Sequence, residues 1–301
     1  MAAHLTSLRV GYVPEHFSTP LYFAQKHFEL DAQLIQFPSG TGHMVTCLRN
    51  GEIDVAIGLT EGWVAGLAKE KISKDQGDYR LIGTYVETPL CWAISTGANR
   101  DIDSVENLKG GTCGVSRIGS GSYVMAFALA LQKNWLTPQA PVEPFKFKPV
   151  QTFERLREAV NSGTADFFMW EHFTSKKYYD NGEIKRIGEI YTPWSSWKIV
   201  ASTSIPPSDA RLEDLFKKLD QGIEYFEKNQ DEAVNYISTS LDYSEADAQS
   251  WLKTVKFPAH TKGVDLSVIK KTVDVLTEAG ILGKDEMDVS EMVAIPRSAP
   301  R

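Results

Sequence analysis

Two stretches decide the fold: Arg49-Asn-Gly-Glu-Ile-Asp-Val-Ala-Ile57 and Val160-Asn-Ser-Gly-Thr-Ala-Asp-Phe-Phe168. Each reads as the end of a helix, then an Asn and a Gly, then two residues and an Asp, then a short apolar strand. Glycine just past a helix ends it, and a bounded run of β-branched and aromatic residues reads as a strand. One chain that repeats this step far apart holds two similar units.

Working outward, each unit shows alternating strands and helices. In the first, the spacing predicts strands near 7–12, 33–37 and 54–57, with helices near 20–28, 42–50 and 60–69. Thr19 followed by Pro20 reads as a cap and first helical residue. Strands near 80–86 and 91–96 follow. The rhythm restarts with a strand at 111–116, a long apolar helix from Ser122 to about Asn134 and a strand at 145–150. A helix at 152–160, a strand at 166–170, a helix at 171–179 and strands near 184–190 and 197–203 complete it. After the breaker Ser204-Ile-Pro-Pro-Ser-Asp209 the chain reads as strand-less helix, near 210–229, 231–240, 244–255 and 266–278. The expected fold is α/β with two lobes, each a mixed sheet with flanking helices. Lobe 1 spans 1–96 plus 204–301 and lobe 2 spans 97–203. Crossings near 95–100 and 200–205 make a two-strand hinge, and ligands favour the cleft at such an interface.

The bulk numbers fit. The 301 residues suffice for two well-buried lobes. With 32 Lys plus Arg against 39 Asp plus Glu, the formal net charge is -7, so no nucleic-acid partner is expected. No apolar run approaches the roughly 20 residues that span a bilayer, so no membrane insertion is expected. The start, Met1-Ala-Ala-His-Leu-Thr-Ser-Leu-Arg-Val10, has no basic or apolar leader pattern, which predicts a cytoplasmic protein. Cys47, Cys91 and Cys113 are isolated and form no C-x-x-C pair, so neither a disulfide framework nor a metal is expected.

The chain resembles the substrate-binding proteins of the type II periplasmic-binding fold, in the branch for nitrate, taurine, sulfonates and thiamine-precursor pyrimidines. The resemblance rests on the opening strand and aromatic loop from Val10 to Phe23, the turn at Ser39 to Gly42, the two Gly-x-x-Asp stretches, Gly119-Ser-Gly-Ser122 and Trp170-Glu171. It implies binding of a small molecule between two lobes. The fungal branch that makes the thiamine pyrimidine carries a cysteine-rich iron motif, which this chain lacks.

Candidate ligand contacts follow. Gly119, Ser120, Gly121 and Ser122 bring backbone close to a ligand at a helix start, where exposed N–H groups favour an anion, and Arg117 adds a cation. The string is not a Walker loop. Ser39 and Thr41, in Ser39-Gly-Thr-Gly42, are expected in the equivalent place of the first lobe. His16, Phe17, Ser18 and Thr19 follow the first strand, at the strand ends that face the crevice. Trp170 and Glu171 offer a stacking ring and a carboxylate for an amine or aminopyrimidine. Thr60 and Glu61, with Trp63, take the matching place in the first lobe. Each has a purely structural alternative: helix caps for Ser120, Ser122 and Glu171, and a packed loop for Phe17. The groups at Arg117 favour an anion and those at Glu171 an amino group, which a zwitterion or heterocycle reconciles.

Three function classes remain open. One is non-catalytic binding of a small polar or heterocyclic metabolite with hinge closure, with no catalytic residue and no cofactor. Another is an enzyme on the same shell, using His16, His43, Glu61 or Glu171 as acid or base. A regulatory module that has lost its ligand is the third possibility. The protein partner is unknown.

Overall fold

Both deciding stretches are clips. Helix α2 (Thr41–Arg49) ends at Asn50, and Gly51 adopts φ 69°. Asp54 then reaches back to strand β1 (Leu8–Tyr12): its Oδ2 accepts from the Arg9 backbone N–H at 2.8 Å, and its Oδ1 from the Arg9 guanidinium at 2.8 Å. In the second half, α5 (Phe153–Asn161) ends at Ser162 and Gly163 adopts φ 75°. Asp166 Oδ2 accepts from the Thr112 N–H at 2.7 Å at the start of β6 (Thr112–Val115), and Arg100 supplies the cation at 2.7 Å. The left-handed turn needs glycine, and the aspartate ties the third strand of each unit to its first.

The computed structural model describes residues 6–69, 78–136, 144–283 and 288–297. Among them, β2 (Ala32–Gln36), β1, β3 (Val55–Leu59), β10 (Trp197–Ser202) and β4 (Tyr79–Val86) form one five-stranded sheet in that order. The second five-stranded sheet has the order β7 (Lys146–Pro149), β6, β8 (Phe167–Glu171), β5 (Cys91–Gly97) and β9 (Ile184–Tyr191). In each sheet four strands run in one direction, and the fourth position is held by a single antiparallel strand, β10 or β5. Helices α1 (Thr19–Phe28) and α3 (Thr60–Lys69) belong to the first unit. Helices α4 (Gly121–Gln132) and α6 (His172–Asp180) belong to the second. The two mixed sheets with flanking helices are the expected fold class.

The crossings need correction. The chain leaves the first sheet through 87–90 and returns through 192–196, not near 95–100 and 200–205. The expected bounds therefore give nearly all of β5 to lobe 1 and all of β10 to lobe 2, each opposite to the sheet that holds it. β5 follows β4 so closely that it reads as a hairpin partner, and β10 reads as the last strand of the second unit. Each instead fills the antiparallel slot of the other sheet.

The tail comprises α7 (Ala210–Lys228), α8 (Gln230–Ser240), α9 (Glu245–Leu252), α10 (Leu266–Glu278) and the short α11 (Val289–Met292). α7 lies on α1 so closely that a Cβ at Gly222 would stand 2.3 Å from the Pro20 carbonyl. The tail holds no strand among the described residues, but single-residue bridges join Gly263 and Val293 in parallel to Gly83 and Leu81 at the β4 edge. This covers an edge that would otherwise expose unpaired backbone groups. Isolated single-residue bridges carry no alternation that a sequence pattern reveals. Among the described residues, no helix is long and apolar enough to cross a membrane.

Candidate functional site

The ends of β1, β3, β6 and β8 converge on one cavity between the sheets, of about 70 Å³. That position follows from the topology, because parallel strands bring their carboxyl ends and following loops to one crevice. From the second unit, Arg117, Gly119, Ser120, Gly121, Ser122, Trp170 and Glu171 line it, and from the first, Ser39 and Thr41. The structure brings these residues together, but not with the expected symmetry. Gly119–Ser122 follows the first strand of its unit and corresponds to the loop after β1, whereas Ser39–Gly42 follows the second strand.

Helix α4 starts at this cavity. Gly119 turns the chain with φ 83°, and Ser120 caps the helix by accepting from the Tyr123 N–H at 3.4 Å. The Ser120 and Ser122 hydroxyls stand 3.0 Å apart. Gly121 packs between rings and lobes: a Cβ there would be 2.9 Å from Trp92 and 3.1 Å from Leu59. On the facing side Gly40 adopts φ 75°. Thr41 is occupied structurally, because its hydroxyl accepts from the Leu59 N–H at 2.9 Å and pins α2 to the end of β3. Arg117 leaves the second unit and donates from Nη1 to the Ser39 carbonyl at 2.8 Å. Its guanidinium lies against Gly42, where a Cβ would stand 2.1 Å from Nη2. Burial lowers the Arg117 pKa, and no carboxylate offsets that effect.

Opposite Arg117 stand two carboxylic acids. Glu171 is buried at the end of β8 and caps α6, accepting from the Thr174 N–H at 2.7 Å. Burial nevertheless pushes its carboxyl up to about 7, and the amide bonds oppose the rise. Glu15, in the loop after β1, is pushed up to about 8 by burial and by the charge of Glu171. Trp170 flanks them, with one face stacked on Phe153 at a centroid distance of 5.0 Å. Trp92 and Trp197 also line the cavity, both buried, each with an indole N–H that has no partner.

The structure places the other sequence candidates elsewhere. His16 is fully buried behind Glu171, with Nε2 3.7 Å from Oε1 and neither ring nitrogen hydrogen-bonded. Rings of Phe17, Tyr243 and Trp251 enclose it, and burial keeps it neutral. Phe17 belongs to that aromatic packing, while Ser18 and Thr19 bond to the carbonyls of Glu15 and His16 in the turn. Thr60 and Glu61 turn into the second crossing: Thr60 donates to the Ser195 carbonyl at 2.6 Å, and Glu61 accepts from Trp194 Nε1 at 2.9 Å. Their expected match to Trp170-Glu171 fails by register. Leu59 and Glu171 each stand five residues after their clip aspartate, and both face the cavity. His43 is exposed on α2, edge-on to Phe37. Sequence reasoning missed Glu15, Trp92 and Trp197. The acid next to His16 in the post-β1 loop was a visible signal for Glu15. The tryptophans lie within or at the start of strands, where core packing is the default reading. Among the described residues no cluster of three or more potential metal ligands occurs.

A family model described as Ca3427-like periplasmic-binding protein matches residues 92–190. The structure of the conserved CA3427 gene product of Candida albicans, which defines a family with the generic periplasmic-binding-protein fold, is 41% identical over 99% of each chain, with a TM-score of 0.86. The alkanesulfonate-binding protein SsuA of Xanthomonas axonopodis pv. citri, bound to MOPS, is 17% identical over 97% of this chain and 99% of its own, with a TM-score of 0.74. The periplasmic aliphatic sulphonate-binding protein SsuA of Escherichia coli is 16% identical over 99% of this chain and 94% of its own, with a TM-score of 0.69. No curated protein matches the sequence.

Proposed function

Because this chain belongs to the Ca3427-like family with the generic periplasmic-binding-protein fold, we propose that it binds a small zwitterion or amino-bearing heterocycle between its lobes without transforming it. One observation carries this reading: Arg117 and Glu171 line the same cavity. Arg117 has no carboxylate partner among the described residues, so its guanidinium, with the Ser120 and Ser122 hydroxyls and the start of α4, suits an anionic group. Glu15 and Glu171 suit a basic nitrogen, and Trp170 offers a ring face. The Xanthomonas neighbour holds MOPS, whose sulfonate and amine form the same pairing of charges, which supports a zwitterion here.

The lobes open and close about 87–90 and 192–196. A cavity of about 70 Å³ admits only a few heavy atoms' worth of free space, so a larger ligand needs the lobes to part. Non-catalytic binding is favoured by the placement of the acid–base candidates. Of His16, His43, Glu61 and Glu171, only Glu171 lines the cavity. A cytosolic location belongs to the same proposal and is supported by three free thiols, Cys47, Cys91 and Cys113.

The test is a thermal-shift screen of the full chain against sulfonates, amino acids, amino-sulfonates, polyamines and aminopyrimidines. A ligand at about 100 times its dissociation constant adds about 2.7 kcal/mol. Stabilisation by molecules carrying both an anion and a basic nitrogen or amino group, lost in Arg117→Ala and in Glu171→Gln, is the expected result. Stabilisation that survives both substitutions overturns the assignment of the cleft. Turnover of a stabilising ligand overturns the non-catalytic reading. Localisation is checked by fractionating cells that express the tagged protein.

A further inference from the structure

A side chamber of about 190 Å³ adjoins the cleft, on the flank of α6 and of the turn between α8 and α9. Val13, Glu15, Pro38 and Trp170 line both spaces, so they form the junction between them. Arg117 and Glu171 line the cleft and do not reach the chamber. We propose that cleft and chamber make one composite site, whose occupant carries a substituted basic nitrogen at Glu15 and a ring-sized apolar group beyond it in the chamber. This rests on the zwitterion reading of the cleft and names the class of zwitterion: a secondary or tertiary amine rather than a primary one.

Glu15 carries the inference. Its carboxyl forms no hydrogen bond or ion pair among the described residues. The residue is half-buried, and its oxygens keep accessible surface, unlike the sealed, unpartnered atoms of the core. Burial and the charge of Glu171 push it up to about 8, as expected of an acid with no cation beside it. Glu171 is already engaged by the Thr174 N–H. An acid with space on one side takes a terminal ammonium. An acid at a junction, with space on both sides, takes a nitrogen that bears groups on both sides. The chamber defines the second group. Phe153, Trp170, Tyr178 and Pro14 wall it, and its other charged residues, Lys177 and Asp242, pair with each other. Arg157 lies against the Tyr178 ring but outside the chamber, and it pairs with Glu183. Among the described residues the chamber therefore holds no unpaired charge except Glu15, which suits an apolar ring against aromatic walls. The chamber is also the larger space, about 190 Å³ against about 70 Å³, so the bulkier end of the occupant lies there.

Calorimetric titration of the full chain tests this with two pairs of probes: 3-aminopropanesulfonate and its N-cyclohexyl derivative, and β-alanine and its N-cyclohexyl derivative. Within a pair the anion and the spacer are the same and the nitrogen is basic in both. At about pH 8.5 Glu15 is ionised and the amines remain largely cationic. The N-cyclohexyl member should bind about tenfold tighter, which burial of about two of its methylene groups already supplies. That advantage should vanish in Lys177→Trp and in Asp242→Trp, which fill the chamber from opposite sides. Both variants also break an ion pair between α6 and the tail, and the ratio within a pair cancels any general effect on lobe closure. Glu15→Gln should weaken the N-cyclohexyl member about tenfold, through loss of a charge-assisted hydrogen bond. Equal affinities within every pair that binds, an advantage that survives both chamber-filling variants, or unchanged affinity in Glu15→Gln overturns the composite site and leaves the zwitterion reading of the cleft standing. Failure of all four probes to bind overturns both.

Discussion

Nη1 of Arg117 donates to the carbonyl of Ser39 at 2.8 Å and thereby joins the loop after β6 to the turn before α2 across the cleft. The contact depends on a glycine. A Cβ at Gly42 would stand 2.1 Å from Arg117 Nη2 and 2.5 Å from Nε, so Gly42→Ala expels the guanidinium. Position 42 has ordinary helical geometry within α2, where alanine is preferred over glycine. Gly42→Ala gains helix propensity but loses the Arg117–Ser39 hydrogen bond, so the melting temperature of the free protein should change little. It should weaken the ligand found in the screen about tenfold or more, since a charged hydrogen bond contributes about 1.5–3 kcal/mol. Calorimetric titration beside a thermal melt checks both halves. Full affinity in Gly42→Ala removes Arg117 from the binding surface.

Glu15 and Glu171 give the free protein a definite pH response. Their folded carboxyls hold protons up to about 8 and about 7, against an ordinary value of 4.5. Across that window the unfolded chain binds fewer protons than the folded one, so stability falls as pH rises. The contribution is complete below about 4.5 and is lost by about 8. Glu171→Gln mimics the protonated acid and can still accept from the Thr174 N–H. Melts taken from pH 4.5 to 8 should show a shallower decline in Glu171→Gln than in the parent. An equally steep decline refutes the burial argument. The same deprotonation favours a cationic ligand group, so affinity for an amine-bearing ligand should increase through pH 7–8.

Much of this was legible in the sequence, for identifiable reasons. The Gly-x-x-Asp repeats are local devices: the glycine ends a helix and the aspartate returns to a neighbouring strand, so a few residues carry the whole signal. Glycine-rich loops at strand ends carry the site in the same way. What escaped is non-local. Nothing within β5 or β10 records which sheet will accept it, because both antiparallel slots offer an equally buried environment. Glu61 and Glu171 look alike as acids at helix starts. A shift of two residues relative to the clip sends one under Trp194 and the other into the cleft.

Gly121 sets how closely the lobes approach. A Cβ there meets Trp92 of the same lobe at 2.9 Å and Leu59 of the opposite lobe at 3.1 Å. Gly121→Val places a branched side chain in that contact at the first residue of α4. Parting the lobes relieves the contact with Leu59, and the contact with Trp92 is relieved by a shift of the indole ring, so the variant should fold. Small-angle scattering should then give a larger radius of gyration than for the parent, and ligand should compact it less. Compaction equal to that of the parent shows that this contact does not limit closure.

Just past the second crossing stands a buried amine with an unusual response. Lys198 lies 1% exposed on β10, and Nζ donates to the Ser195 carbonyl at 3.4 Å and to the Ser195 hydroxyl. Burial pushes it down to about 7 from an ordinary 10.5. Between those values the unfolded chain carries the proton and the folded chain does not. Stability from this group therefore increases as pH rises through that window and is lost as pH falls towards 7. Lys198→Met keeps an unbranched chain of similar length and removes the titration. It should raise the melting temperature of the ligand-free protein, and by more at pH 6 than at pH 10, because only at the lower pH does the parent carry the full cost of its buried amine. Glu61, pushed up to about 7 beside the same crossing, adds the opposite slope below that point. The parent should thus pass through a shallow stability minimum near neutrality, which Lys198→Met converts into a plateau on the alkaline side. Melts across pH 5–10 decide it: a gain from Lys198→Met that is equal at both ends shows that Lys198 keeps its charge in the fold.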